Sequence, residues 1–215
     1  MMNKRELAER LRLYLICGSE EKLLEKTEAA LQGGVTAVQL RMKNRDGREI
    51  YETALSLRRL CDSYKALFIV NDRVDIALAA QADGVHLGQK DLPPVAARKL
   101  GGAAFIIGGT ARTPELARKA EAEGADYIGC GAAFETATKG DAVVIGPEGI
   151  KEVLTAISIP SVAIGGIEAA NLKLLRDCGA SGISLSGAIM KAKEPQAAAR
   201  ELRKLCDELF GKGLQ

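Results

Sequence analysis

The chain has 215 residues, 47% hydrophobic and 27% charged, an ordinary globular composition with enough apolar material for a sizeable core, which argues against intrinsic disorder. Lys plus Arg number 30 against 28 Asp plus Glu, a net charge of +2, so no basic excess is present for sequence-independent nucleic-acid binding. Aromatics are 4% with no Trp, which argues against a base-stacking platform.

Short apolar runs alternate with amphipathic stretches along the whole chain. Residues 13–17 (Leu-Tyr-Leu-Ile-Cys) read as a buried strand, and 20–31 as a helix ended by Gly33-Gly34. A strand over 36–41 precedes a helix over 48–64, and a strand over 67–70 precedes a short helix over 74–80. The fourth pair is 84–87 and 94–100, the fifth 105–108 and 114–123. A sixth strand, 126–130, reaches its helix (149–156) only after a long connection; strand 161–164 pairs with helix 169–178, and strand 182–185 with helix 195–210.

Continuous apolar strands of this length indicate a parallel sheet covered on both sides. Three pieces share one phrase before a strand: Gln81-Ala82-Asp83-Gly84, Glu123-Gly124-Ala125-Asp126 and Cys178-Gly179-Ala180-Ser181-Gly182. Each reads as a helix end turning into the next strand. No linker or charge block divides residues 1–215. The pattern predicts an α/β fold, a single (β/α)8 TIM barrel domain. The alternative is a doubly wound open sheet, but its Gly-x-Gly-x-x-Gly turn is replaced by Cys17-Gly18-Ser19-Glu20.

No run suits a membrane span, and the charged start carries no apolar signal core, so a cytoplasmic location is expected. The five cysteines are widely spaced with no Cys-x-x-Cys pair, and read as buried reduced thiols. His86 is the one histidine, which excludes chemistry needing two.

Barrel chemistry sits at the C-terminal ends of strands. After the second strand come Gln39, Arg41 and Lys43, which alternation puts on one side. One amide and two cations there suit a polyanion, Arg gripping phosphate bidentately. Asn71-Asp72 follows the third strand and Asp91 the fourth. Each reads either as a helix cap or, together, as an oxygen site for Mg²⁺, which often takes only one or two carboxylates plus substrate phosphate. His86 lies within an apolar strand and reads as a wall residue rather than a general base. Thr110, after the fifth strand, reads as a phosphate donor or a turn cap. The long connection 131–146 reads as a binding loop or lid, and its Thr136, Thr138 and Lys139 offer two hydroxyls and a cation. Gly165-Gly166 and Ser186-Gly187, after strands seven and eight, allow close backbone approach to a phosphate.

The motifs Gln39-Leu40-Arg41-Met42-Lys43, Val70-Asn71-Asp72, Gly84-Val85-His86-Leu87-Gly88-Gln89-Lys90-Asp91, Thr136-Ala137-Thr138-Lys139 and Ile164-Gly165-Gly166-Ile167, in that order, resemble the thiamine phosphate synthase family. The resemblance implies a (β/α)8 barrel. It implies joining of 4-amino-5-hydroxymethyl-2-methylpyrimidine diphosphate to 4-methyl-5-(2-phosphoethyl)thiazole, with pyrophosphate released. By that resemblance Gln39, Arg41, Lys43, Asn71 and Lys139 would hold the pyrimidine diphosphate, Arg41, Lys43 and Lys139 acting in catalysis. Asp72 and Asp91 would hold Mg²⁺, and Thr110 would lie near the pyrimidine amine and diphosphate. Thr136, Thr138, Gly166, Ser186 and Gly187 would hold the thiazole phosphate. The expected partners are these small molecules, with no nucleic acid and no membrane; a homodimer stays open. The chain departs from the family pattern at Glu135, where proline is usual, and at Gly187, where serine is common. Phe134-Glu135-Thr136 also resembles the related thiazole tautomerase, which carries a histidine where this chain has Ala132. The rival readings are a tautomerase-like isomerase and a non-catalytic binder of thiazole or thiamine phosphate.

Overall fold

A computed structural model describes residues 2–135 and 143–211. Eight parallel strands close into a barrel in sequence order. They are β1 (Leu13–Cys17), β2 (Ala37–Leu40), β3 (Leu67–Asn71), β4 (Gly84–Leu87), β5 (Ile106–Ala111), β6 (Tyr127–Cys130), β7 (Ser161–Ile164) and β8 (Gly182–Leu185). Helices α2 (Leu23–Gln32), α3 (Gly47–Ser63), α4 (Val74–Ala79), α5 (Pro94–Gly101), α6 (Pro114–Ala122), α7 (Gly146–Leu154) and α9 (Pro195–Phe210) alternate with them. No described helix is long and apolar enough to cross a membrane.

Strand side chains divide by alternation into two cores. Leu13, Leu15, Val38, Leu40, Phe68 and Val70 point outward and pack under the helices. Tyr14, Ala37, Leu67, Ile69, Ile106, Tyr127 and Val162 fill the barrel interior, joined by Leu7 and Leu11. Leu7 belongs to a further helix, α1 (Lys4–Arg10), and Leu11 follows it. The sequence reading missed α1, whose signal is a capping pattern: Asn3 Oδ1 accepts from the Glu6 amide at 2.9 Å. Leu11 is fully buried. The helix is therefore a stopper at the N-terminal end of the barrel.

The repeated pre-strand phrase has a structural use at that same end. Asp83 Oδ2 accepts from the Phe68 amide at 2.7 Å and pairs with Arg58 of α3 at 2.7 Å. Asp126 Oδ2 accepts from the Ile107 amide at 2.7 Å and pairs with Arg98 of α5 at 2.6 Å. In the third copy the Ser181 hydroxyl accepts from the Ser161 amide at 3.3 Å, and Arg12 holds the Ser181 carbonyl at 2.8 Å. Each copy staples two neighbouring strands, β3 to β4, β5 to β6 and β7 to β8.

Several boundaries differ from the sequence reading. Helix 169–178 is reduced to one 3-10 turn, Leu172–Leu175. Asn171 diverts the backbone there: its side chain accepts from the Glu168 amide and donates to the Gly166 carbonyl, a local alternative to helical bonding. The second helix starts at Leu23, because Glu20 turns back to accept from the Gly18 amide. The fifth strand extends through Gly109 and Thr110 to Ala111, since pairing with β6 outweighs the low strand propensity of glycine. A short helix, α8 (Gly187–Met190), follows β8.

Candidate active site

Five strands present one connected polar chain inside the barrel. Gln39 Nε2 donates to the Tyr14 hydroxyl at 2.8 Å, and the Tyr14 and Tyr127 hydroxyls lie 2.9 Å apart. Tyr127 then meets His86 Nδ1 at 3.1 Å, and His86 Nε2 meets Thr110 Oγ1 at 2.9 Å. A glycine makes this possible: a Cβ on Gly108 would collide with the Tyr127 ring and with His86. Gln39 thus spends its amide on Tyr14 rather than standing unpaired on the inward face. Thr110 caps nothing, since the N-cap of α6 is Thr113. Burial pushes both tyrosine hydroxyls far above the ordinary phenol range, so they remain protonated.

The ends of β3 and β4 bring two carboxylates together. Asp72 has φ +63°, and the Arg73 amide donates across it to the Asn71 carbonyl at 2.7 Å, closing a γ-turn. The Asp72 amide itself donates to the His86 carbonyl at 2.9 Å, fixing the turn to β4. Asp91 Oδ2 accepts from the Gly88 amide at 2.7 Å. Neither carboxylate caps a helix; α4 is preceded by Arg73 and α5 by Pro93, both without a side-chain cap. Burial, then the hydrogen bond and negative charge of Asp91, push the Asp72 carboxyl above its ordinary range, while Lys43 and Arg41 pull it down. Lys43 Nζ is 3.7 Å from Asp72 Oδ2, a loose ion pair whose lysine is exposed. Asn71 lies at the end of β3, paired in register with His86.

Two backbone turns complete the described mouth. Gly165 and Gly166 have φ +101° and +63°, and a Cβ on Gly166 would strike the backbone of Phe134 and Glu135. The turn after β7 is therefore pressed against the segment after β6, which is held by Phe134 N donating to the Gly165 carbonyl at 3.0 Å. Ser186 precedes α8 without a side-chain cap, and the amides of Gly187 and Ala188 have no intrahelical acceptor. A Cβ on Gly187 would meet only the Lys191 side chain at 3.8 Å, so serine would fit there. Thr136, Thr138 and Lys139 lie outside the described residues.

The structure therefore draws Gln39 and Thr110 into one chain and gathers Lys43, Arg41, Asp72 and Asp91 into one electrostatic cluster. Sequence reasoning missed Tyr14 and Tyr127, which look like core residues in apolar strands. The available signal was that a buried tyrosine hydroxyl needs a partner. The five cysteines are free and buried. Burial pushes the Cys61, Cys130 and Cys206 thiols up to about 12, so they are not nucleophiles at neutral pH.

The family model described as thiamine monophosphate synthase matches residues 13–189. A thiamine-phosphate synthase from Coprothermobacter proteolyticus is 46% identical over 209 residues, covering 95% of this chain and 99% of the relative. One from Pyrococcus abyssi is 44% identical, covering 94% and 98%. The solved thiamine phosphate pyrophosphorylase from Pyrococcus furiosus superposes with a TM-score of 0.89 at 42% identity, covering 95% of this chain and all of that one.

Proposed function

The chain belongs to the thiamine monophosphate synthase family, transferases of thiamine biosynthesis, and on that premise we propose how its residues carry the reaction. The whole chain works as one barrel domain with its site at the C-terminal ends of the strands. It joins the pyrimidine diphosphate to the thiazole phosphate and releases pyrophosphate. The observation that carries this reading is the Asp72–Asp91 pair beside Lys43 and Arg41. A carboxylate whose pKa is raised by burial and by a second carboxylate is a group that a cation would relieve.

The donor set fits Mg²⁺: two hard oxygen ligands from adjacent strand ends, with room left for phosphate oxygens. Asp72 and Asp91 would hold it, and the ion, when bound, neutralises charge on the diphosphate. Arg41, Lys43 and Lys139 hold the diphosphate as its ester bond to the pyrimidine methylene lengthens and its oxygens gain charge. Their attraction grows with that charge, so they favour the transition state over the ground state. Gln39 and Thr110 orient the pyrimidine ring, whose amino group helps delocalise the developing cation; Asn71 holds the diphosphate. Thr136, Thr138, Gly166, Ser186 and Gly187 hold the thiazole phosphate, so that the thiazole nitrogen attacks the exposed methylene. No enzyme nucleophile is needed, consistent with five thiols protonated by burial.

The test is to mix purified protein with the pyrimidine diphosphate, the thiazole phosphate and Mg²⁺, and to follow thiamine phosphate by mass, with and without chelator. Chelator-sensitive product is expected. Tight thiazole phosphate binding without product, or metal-independent isomerisation of the thiazole, would overturn the coupling reaction.

A further inference from the structure

The chain of side chains from Gln39 to Thr110 has only one consistent direction once its first bond is set. Gln39 Nε2 is a donor to Tyr14. The Tyr14 hydroxyl is buried, and its one other hydrogen-bond neighbour among the described residues is Tyr127, so its proton goes there. The Tyr127 hydroxyl then accepts from Tyr14 and sends its own proton to His86 Nδ1. An imidazole that accepts at Nδ1 carries its proton on Nε2, which donates to Thr110 Oγ1. Thr110, having accepted, has its hydroxyl proton left for the mouth. At the opposite end Gln39 has its carbonyl oxygen left, which is not among the sealed, unpartnered polar atoms.

We infer that Tyr127 is a positioning residue: with Tyr14 and His86 it makes one directed hydrogen-bond relay that presents Gln39 as an acceptor and Thr110 as a donor. The relay couples two groups on strands β2 and β5, on different sides of the barrel. Reversing any link reverses the polarity shown at both ends. An aminopyrimidine diphosphate fits this pair, because its exocyclic amine donates while its ring nitrogens and diphosphate oxygens accept. This role rests on the functional reading above for the identity of the ligand, but the direction of the relay does not.

Because His86 is the one histidine, its two ring nitrogens can be read without overlap in the tag-free, full-length protein labelled with ¹⁵N-histidine. Long-range ¹H–¹⁵N spectra at pH 8 are expected to show the neutral imidazole with its proton on Nε2, and Tyr127→Phe to shift it toward a mixture of tautomers. In turnover, Tyr127→Phe is expected to raise KM for the pyrimidine diphosphate about tenfold, roughly the effect of one uncharged hydrogen bond. The thiazole phosphate KM stays unchanged. In a Thr110→Val background the same change should have less than half of that logarithmic effect, whereas a merely structural loss would add in full. Tyr14→Phe, which breaks the relay at the Gln39 end, should repeat the KM effect and guards against a folding defect peculiar to Tyr127→Phe. A wild-type proton on Nδ1, or full additivity with Thr110→Val, would overturn the relay. An inactive wild-type protein would overturn the functional reading, and with it the role toward substrate, while the imidazole spectra would still decide the direction.

Discussion

The two ends of the barrel use the same side chains to opposite purposes. At the N-terminal end, Asp83 and Asp126 each meet an arginine and a strand amide within 2.7 Å, and Leu7 and Leu11 close the opening. At the C-terminal end, Asp72 faces another carboxylate and is countered by the loosely placed Lys43 and by Arg41, with no close ion pair among the described residues. One end is locally satisfied. The other holds like charges together, as binding sites do. The comparison teaches that a carboxylate in this fold marks function only when its partners fall short, not by its presence alone.

The largest effects should come from disturbing the mouth. Asp72→Asn and Arg41→Ala are expected to lower kcat about 10²- to 10³-fold, the cost of one transition-state anion stabiliser, with melting temperatures near that of the parent; steady-state kinetics and calorimetry check both halves. Next, at the closed end, Leu11→Ala should cost about 3 kcal/mol in urea unfolding, because it opens a cavity under a fully buried side chain, with turnover of the folded protein retained. Asp126→Ala should cost about 2 kcal/mol by the same measurement, since it leaves the Ile107 amide and Arg98 without their partner. A loss of activity without a loss of stability in either variant would erase the contrast between the ends.

The smallest effect sharpens the contrast through pH. The folded-state pKa of Asp72 is raised, so its neutral form is the one the fold favours. Its stabilising contribution is therefore complete below the unfolded carboxylate pKa and is lost as pH rises through the folded value. Asn accepts a left-handed backbone, so Asp72→Asn should melt at or slightly above the parent at pH 7.5 while losing activity. At pH 4 the two should converge. Added Mg²⁺ should raise the melting temperature of the parent at pH 7.5 more than at pH 4, and should not raise that of Asp72→Asn. A variant that melts lower at pH 7.5 would show that Asp72 is satisfied after all.

Much of the barrel was legible because each strand is short, apolar and bounded by glycine or a charged turn. Strands over 13–17, 84–87, 161–164 and 182–185 fall where the periodicity puts them. Less legible were elements decided by side chains rather than by pattern. Asn171 cuts a periodic stretch down to one turn, and Glu20 delays a helix by turning back on Gly18. Helix α1 reads as a charged start until Leu7 and the following Leu11 are seen to stop the barrel. In the site, Gln39, Arg41, Lys43, Asp72 and Asp91 stood out because polar residues at strand ends break an apolar pattern. Tyr14 and Tyr127 did not, because an inward tyrosine differs from a phenylalanine only in its hydroxyl.

The sequence by itself determined the alternation of strand and helix, the charged groups at the strand ends and the repeated pre-strand phrase, since each depends on neighbours along the chain. Only the tertiary structure decided which carboxylates are satisfied. Asp83 and Asp72 are the same residue type, each close to a strand, yet one lies against Arg58 and the other against Asp91. Pairing of β3 with β4 chooses those partners from residues 25 and 19 positions away in the chain, and no local propensity carries information over that span. Closure of the barrel brings Tyr14 to Tyr127, 113 residues apart, and so turns five separate side chains into one relay.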